Sequence, residues 1–293
     1  MAITEAIIDH YQQHGYVIME NLLTAKELNA ARTDIEQMIP GWLDYAADNG
    51  AQLPTGWDEV TRSRRNTRFP FPGEGLNAVT LHPDLLALAS AVTAWDDLYC
   101  EQADLSYKCK GHFGDREQTM HMDYGNHTLV YPPANPRYWQ TAFLIYYTDV
   151  ELGSAPTAVC SWEHYRDEMH FPMGYSREQR SALYDNEIKV VVPAGSVLAY
   201  SMRTFHRGTA FSEDTARVSQ FVTFAPRDCK WMGIVGWSEQ AIRPEFNKWI
   251  VSASPAEREL FGFPGAGDPY WTEETLAGVS ARYPGMDMSP YIP

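Results

Sequence analysis

His121 and Asp123 flank Met122, and His206 follows Asp123 by 83 residues. In an extended strand successive side chains alternate between faces, so His121 and Asp123 project to one side and Met122 to the other. Two imidazoles and one carboxylate grouped this way can occupy one face of an octahedral iron(II) ion, the donor set of non-haem oxygenases, and leave three positions open. Those positions suffice for a bidentate 2-oxo acid and for O₂. A His-x-Asp spacing alone is common by chance, and a strand histidine is more often a hydrogen-bonded structural residue than a ligand.

The context of His206 adds weight. It follows Ser201-Met-Arg-Thr-Phe205 at a strand-turn-strand junction, and Arg217 stands 11 residues later at the head of the next strand. Arg217 and Ser219 share a face of that strand. A guanidinium there can take the distal carboxylate of 2-oxoglutarate in a two-pronged grip, with the serine hydroxyl beside it. The competing reading for Arg217 taken singly is a surface salt bridge. In combination with His121, Asp123 and His206, the site reading is favoured.

Positioning these side chains requires strands, and from about residue 97 to 225 the apolar pattern runs with a period of two. Thr141-Ala-Phe-Leu-Ile-Tyr-Tyr147, Ile188-Lys-Val-Val-Val192, Val197-Leu-Ala-Tyr200 and Arg217-Val-Ser-Gln-Phe-Val-Thr-Phe224 read as strands. Pro193-Ala-Gly195 supplies a tight turn that predicts antiparallel neighbours on its two sides. Residues 161–186 read as a polar insertion. Ahead of the strands, Thr24 and Glu27 form a capping box, Leu28, Ala31, Ile35, Met38 and Ile39 fall on one helical face, and Pro40 stops the helix. A second helix is expected near His82-Pro83, with Leu85, Leu88 and Val92 inward. Between them, residues 41–75 are aromatic, punctuated by Gly and Pro, and locally basic, which predicts a long surface excursion. A second capping box lies at Ser254 and Glu257 in the helix-and-loop tail. This is a mainly β pattern with flanking helices, and it predicts a double-sheet jelly roll. The expected organisation is one domain over 1–293: helical support to residue 96, a core at 97–225 and an extension at 226–293.

Composition sets the outer bounds. The chain has 293 residues, 44% hydrophobic and 13% aromatic, enough for a core and an aromatic-lined pocket. Its 23 Lys and Arg against 38 Asp and Glu give a net charge of −15, which argues against nucleic acid or an anionic membrane as partner. A small-molecule partner is expected instead. Cys100, Cys109, Cys160 and Cys229 show neither CxxC pairing nor disulfide-scaffold spacing and read as reduced thiols. The first residues lack a basic leader and a cleavage motif, so a cytoplasmic location is the expectation. No GxSxG, P-loop or GxGxxG motif occurs.

Several stretches together resemble the phytanoyl-CoA hydroxylase-like branch of the iron(II)/2-oxoglutarate dioxygenases. They are Tyr11-Gln-Gln-His-Gly-Tyr-Val-Ile-Met19, Leu22-Leu-Thr-Ala-Lys-Glu-Leu28, Leu105-Ser-Tyr-Lys108, the His121-Met-Asp123 pair, Thr148-Asp-Val-Glu-Leu-Gly-Ser154, Pro193-Ala-Gly-Ser-Val-Leu198, and Thr204-Phe-His-Arg-Gly208 on to Arg217. The resemblance covers roughly residues 10–225. It implies a cupin-like double-stranded β-helix, iron(II) on His121, Asp123 and His206, and 2-oxoglutarate on Arg217, with O₂ as oxidant and succinate and CO₂ as products. By the same likeness Lys108 lies near the co-substrate, against the alternative of an ordinary strand-end lysine. The chain departs from the family at Cys160-Ser-Trp-Glu-His164, where a Pro-Gly-Ser-His is usual, and at Gly208, where some relatives offer a hydroxyl. Thr209 or Ser219 would have to serve in its place. Related halogenases replace the carboxylate ligand by a small residue, so Asp123 points to hydroxylation or a similar oxidation.

Other residues carry less. His127, four residues after Asp123, could line the pocket, but the Gly125-Asn126 turn signal between them favours a polar loop histidine. Arg62, Arg64, Arg65 and Arg68 read as a solvated basic cluster, with recognition of an anionic substrate the minority alternative. Trp231 and Trp237 read as packing residues. Residues 41–75 and the tail from Trp231 are expected to close over the barrel mouth, because a reactive oxidant must be shielded from water; the alternative is that they brace the sheet from outside. Two other classes remain open, a cupin-like zinc or manganese hydrolase or isomerase and a non-catalytic jelly-roll binding module.

Overall fold

The computed structural model describes all residues except 1–2, 48–50, 63–66, 113, 124–126, 130–134, 166–173, 230–231, 241–242 and 293, and the side chains of 62, 238 and 239 are likewise left aside. The fold is the jelly roll that the strand pattern predicts. Five strands form the first sheet in the order β1 (Tyr16–Met19), β8 (Val197–Ser201), β4 (Thr141–Tyr146), β10 (Ala216–Pro226) and β2 (Leu98–Cys109). The second sheet runs β6 (Gly174–Tyr175), β3 (Met120–His121), β9 (His206–Gly208), β5 (Thr157–Cys160) and β7 (Glu187–Lys189). Every pairing is antiparallel. β1 lies far outside residues 97–225, so the barrel recruits a strand from the helical N-terminal segment.

Helices α1 (Glu5–His14), α2 (Ala25–Met38), α3 (Trp42–Ala47), α4 (Trp57–Arg62), α5 (Glu74–Thr80) and α6 (Pro83–Thr93) precede β2. α2 starts at the predicted capping box, with Thr24 accepting from the Glu27 N–H while the Glu27 carboxylate takes the Thr24 N–H. α6 buries Leu85, Leu88 and Val92 as its periodicity requires. The first sheet is buried on both faces in its middle strands, since helices cover its outer face. There Gln220 donates to the Thr80 hydroxyl of α5 at 2.6 Å and accepts from Tyr147 Oη at 2.5 Å, satisfying polar groups that burial would otherwise penalise. The capping box at Ser254 and Glu257 also forms. Among the described residues no helix is long and apolar enough to cross a membrane.

Two expectations change. The strands on either side of Pro193–Gly195 are not neighbours: β7 pairs with β5 in the second sheet and β8 with β4 and β1 in the first. Gly195, at φ 89°, turns the chain from one wall of the barrel to the other. The second change concerns residues 41–75, which are not a simple surface excursion. Trp42, Tyr45, Trp57, Phe69 and Phe71 are buried, and Trp42 meets the rings of Trp57 at 5.3 Å and Tyr107 at 5.1 Å. Gly and Pro signalled irregular backbone correctly, but the aromatic side chains give the segment its own packing.

Residues 67–69 and the tail cover the outer edge of β2. Leu105 N–H donates to Thr67 O (2.6 Å), Phe69 N–H to Ala103 O (2.9 Å), Cys100 N–H to Leu260 O (2.7 Å) and Val235 N–H to Glu101 O (3.2 Å). The two segments also meet each other, with Phe69 stacked on Phe261 at 4.7 Å and edge-on to Trp249 at 4.7 Å.

Candidate active site

β3 and β9 are neighbours, and their register sets His121 directly opposite His206. Paired residues in a ladder point to the same face, so both imidazoles face the barrel interior with centroids 4.6 Å apart. Asp123 joins them. Its carboxylate oxygens lie 3.5 Å from His121 Nε2 and 3.2 Å from His206 Nε2, and the three ligand atoms fall within 4.8 Å of one another. His121 Nδ1 lies 2.7 Å from Thr119 O and His206 Nδ1 3.0 Å from Thr204 O. A carbonyl only accepts, so each Nδ1 carries a proton, which leaves each Nε2, turned toward Asp123, as the ring atom that can bind a metal. This arrangement presents two neutral nitrogen donors and one carboxylate, which suits a divalent first-row metal.

Without a metal, the carboxylate and the His206 imidazole favour each other's charged form. Burial alone would raise the Asp123 carboxyl, yet the His206 and His121 imidazoles hold it well below the usual carboxylate range. Burial lowers the His206 imidazole, and Asp123 more than offsets this, so its pKa is raised. His121 is lowered by burial and by His206. Tyr200, which the sequence did not single out, places its hydroxyl 3.3 Å from Asp123 Oδ2.

The first sheet supplies the opposite wall. Arg217 on β10 pairs with Lys108 on β2, and Ser219 pairs with Ser106 and Tyr146. Arg217 is 3% exposed, so the surface salt bridge is excluded. Its Nη1 donates to Ala155 O at 2.5 Å, where Ala155 adopts a left-handed φ of 55°. The side chain has no carboxylate partner among the described residues, and both its Nε and the Ser219 Oγ are buried with no hydrogen bond. Buried polar atoms are rarely left so. An acceptor arriving as ligand would complete them, and a carboxylate fits.

Lys108 shares the inner face with Arg217. Burial, then Arg217 and Arg116, pull its ammonium down to about 8. A methyl group placed at Gly208 would stand 3.7 Å from Lys108 Nζ and 2.8 Å from Gln118 Oε1, so Lys108 reaches across to the strand of His206. Thr209 donates to Pro156 O at 2.8 Å, one residue beyond the carbonyl that Arg217 holds. The structure thus brings His121, Asp123 and His206 together on one wall and Arg217, Ser219 and Lys108 on the other, while Thr209 lies just past β9, on the wall of His206.

His127 is not a loop histidine facing solvent. It is buried, with Nδ1 2.8 Å from Glu101 Oε1, and Gln140 Nε2 donates to Glu101 Oε2 at 2.7 Å. Burial opposes the charge on His127, but Glu101 raises its pKa. The Gly125-Asn126 turn signal lies outside the described residues. His164 is exposed on a short 3₁₀ turn. Arg68 is not a free cation, since Asp104 accepts from its Nε at 2.8 Å; Arg64, Arg65 and the Arg62 side chain lie outside the described residues, as does Trp231. Trp237 packs as expected, its indole N–H donating to Cys100 O at 2.5 Å. A cavity of 790 Å³ lies between residues 41–75 and β2 with the turn that follows it, walled by Trp57, Thr61 and Thr67 on one side and Ser106, Lys108 and His112 on the other, and no described residue of the tail lines it. Residues 41–75 therefore both wall a cavity and brace the edge of β2. The tail reaches the other end, where Gly233 N–H donates to His127 O at 2.9 Å.

Comparison with known proteins gives a consistent placement. The family model for phytanoyl-CoA dioxygenase matches residues 11–218. Similar solved structures include the non-haem alpha-ketoglutarate-dependent carbocyclase SnoK from nogalamycin biosynthesis, at 18% identity over 83% of this chain and 92% of that chain, TM-score 0.55. The epimerase SnoN, in complex with Fe3+, alpha ketoglutarate and nogalamycin RO, shows 16% identity over 82% and 90% of the respective chains, TM-score 0.54. HygX from Streptomyces hygroscopicus, with nickel and 2-oxoglutarate bound, shows 13% identity over 77% and 87%, TM-score 0.53. At these identities the likeness is one of fold. No curated protein sequence matches significantly.

Proposed function

Because the chain belongs to the phytanoyl-CoA dioxygenase family, we propose that it is an iron(II)- and 2-oxoglutarate-dependent oxygenase that hydroxylates a small organic substrate. Residues 1–293 act as one catalytic unit in this reading. The observation that carries it is the buried Arg217 guanidinium, open at Nε beside the unbonded Ser219 hydroxyl, in the same barrel as a two-histidine, one-carboxylate cluster. A metal-dependent hydrolase or isomerase, or a bare binding module, has no use for an incomplete carboxylate clamp.

His121, Asp123 and His206 would hold iron(II), their orientation fixed by the Thr119 and Thr204 carbonyls and by Tyr200. Bound iron(II) with 2-oxoglutarate and O₂ supplies a two-electron oxidant, releasing succinate and CO₂. Arg217 neutralises the far carboxylate of the co-substrate, and its attachment to Ala155 O holds the fork in place. Lys108 adds a second positive charge, while Ser219 donates a hydrogen bond and Thr209 shapes the rim. Asp123 fills the position that halogenases leave for a halide, which favours hydroxylation over halogenation.

The test measures succinate formed from 2-oxoglutarate by the iron-loaded protein across a panel of candidate small molecules. Release that requires O₂, and that rises with one panel member converted to a hydroxylated product, is the expected result. Turnover of substrate without O₂ or 2-oxoglutarate would overturn the proposal.

A further inference from the structure

On its inner face the first sheet does not end at β2. Arg68 forms an antiparallel bridge with Asp104, so the two side chains lie on one face. Asp104 stands opposite Phe221, Phe221 opposite Leu144, and Leu144 opposite Leu198. The next row toward Arg217 holds Ser106, Ser219 and Tyr146. The next row the other way holds Gln102, Thr223, Ala142 and Tyr200, and Tyr200 reaches Asp123. The Arg68 row therefore stands between the carboxylate clamp and the metal ligands' hydrogen-bond partner, on the face turned to the triad.

Its chemistry is specific. Arg68 donates from Nε to Asp104 Oδ1 at 2.8 Å, Asp104 Oδ2 accepts from Gln102 Nε2 at 3.2 Å, and the Gln102 carbonyl lies 3.5 Å from the Thr223 hydroxyl. The guanidinium is thus anchored by one edge, and its terminal nitrogens carry no hydrogen bond among the described residues. Side-chain exposures of 14% for Arg68 and 20% for Asp104 leave both reachable. The Arg68–Asp104 pair cancels in charge. An anionic substrate would meet the Asp104 carboxylate together with the guanidinium. A long acyl chain would strip water from both without replacing their hydrogen bonds. Adjacent hydroxyls, each able to donate and accept, satisfy both partners at once.

We infer that this row is the substrate-recognition surface and that it takes an uncharged polyhydroxylated ring of glycoside or cyclitol type, with hydroxyls on Arg68 and Asp104 and a C–H face on Phe221. The inference deepens the oxygenase reading, on which it rests only for what reacts; binding itself does not depend on it.

The test is calorimetric titration of the manganese(II)- and 2-oxoglutarate-loaded protein with neutral methyl glycosides and cyclitols, with sugar phosphates, and with octanoyl-CoA. At least one neutral probe should bind, and more tightly than its phosphorylated counterpart. Arg68→Gln should weaken it tenfold or more while 2-oxoglutarate affinity stays unchanged. Phe221→Leu, which preserves the strand ladder, should weaken it about threefold and serves where Arg68→Gln loosens the sheet edge. Failure of all neutral probes, preference for the phosphates or the acyl-CoA, or unaltered affinity in both variants would overturn the inference. Intact 2-oxoglutarate binding in such a protein leaves the oxygenase reading standing. Conversely, glycoside binding by a protein that takes up no 2-oxoglutarate would sustain this inference and sink that reading.

Discussion

On the second sheet each triad imidazole is anchored through Nδ1 to a backbone carbonyl, and Asp123 is met by both imidazoles and by Tyr200. On the first sheet Arg217 and Ser219 are buried with polar atoms left unpaired, and Lys108 is desolvated next to a second cation. One wall is complete without a ligand apart from its metal; the other is complete only with an acceptor between its strands. The difference teaches where binding energy is stored. Second-sheet changes should act on metal uptake, while first-sheet changes should trade co-substrate affinity against the stability of the free protein.

Asp123→Ala tests the first half most severely. Outer partners of metal ligands are worth about 10- to 100-fold in affinity, so loss of the ligand itself should exceed a hundredfold in iron(II) affinity, read by metal titration, with turnover lost in parallel. Tight iron binding in this variant would end the comparison. Arg217→Met should raise the 2-oxoglutarate KM by roughly 30- to a few thousandfold, the equivalent of about 2–5 kcal/mol for a desolvated charge pair. The same change removes an uncompensated buried cation, so the ligand-free protein should melt at a higher temperature than wild type. A lower Tm would show that the Ala155 contact outweighs the desolvation it relieves.

Lys108 sharpens the contrast through pH. Its ammonium, pulled down to about 8 by burial and by Arg217 and Arg116, is charged below that pH, so kcat/KM for 2-oxoglutarate should fall as pH rises through about 8. Lys108→Met should flatten that limb of the profile. Between the folded value and the unfolded value of 10.5 only the unfolded chain holds the proton, so the destabilisation carried by the charged lysine is complete below about pH 8 and is relieved toward pH 10. The stability advantage of Lys108→Met should shrink over that window in denaturant titrations. Ser219→Ala is the mildest test. One neutral hydrogen bond is worth about 1 kcal/mol, so the KM for 2-oxoglutarate should rise about fivefold with no loss of apo stability.

The triad was legible from a strand parity that puts His121 and Asp123 on one side, although β3 ends at His121 and Asp123 follows it in a turn that keeps its carboxylate beside both imidazoles. The position of Arg217 after His206 set it on a strand with Ser219. Sheet membership was not legible at Pro193–Gly195, since turn residues report a reversal and not which wall the chain joins. The Glu101–His127 pair escaped notice for another reason. The β2–β10 register shifts between Thr223 and Phe224, opposite Gln102 and Cys100, which leaves Glu101 as the extra residue of a bulge and breaks the alternation that a sequence reading relies on. In residues 41–75 the aromatics carried the burial signal, and the Gly and Pro residues masked it.

The covered edge of β2 has a consequence for how molecules of this protein meet one another. A twelve-residue strand at the rim of a sheet is a template on which another chain can build, and proteins guard such rims. Here the guard is divided between two distant stretches, residues 67–69 and the tail at Val235 and Leu260, locked together by Phe69 and Phe261. A cut anywhere between Pro226 and Leu260 would release half of it. Protein clipped there is expected to self-associate through β2, seen as an earlier-eluting species in size-exclusion chromatography, even while His121, Asp123 and His206 remain in place.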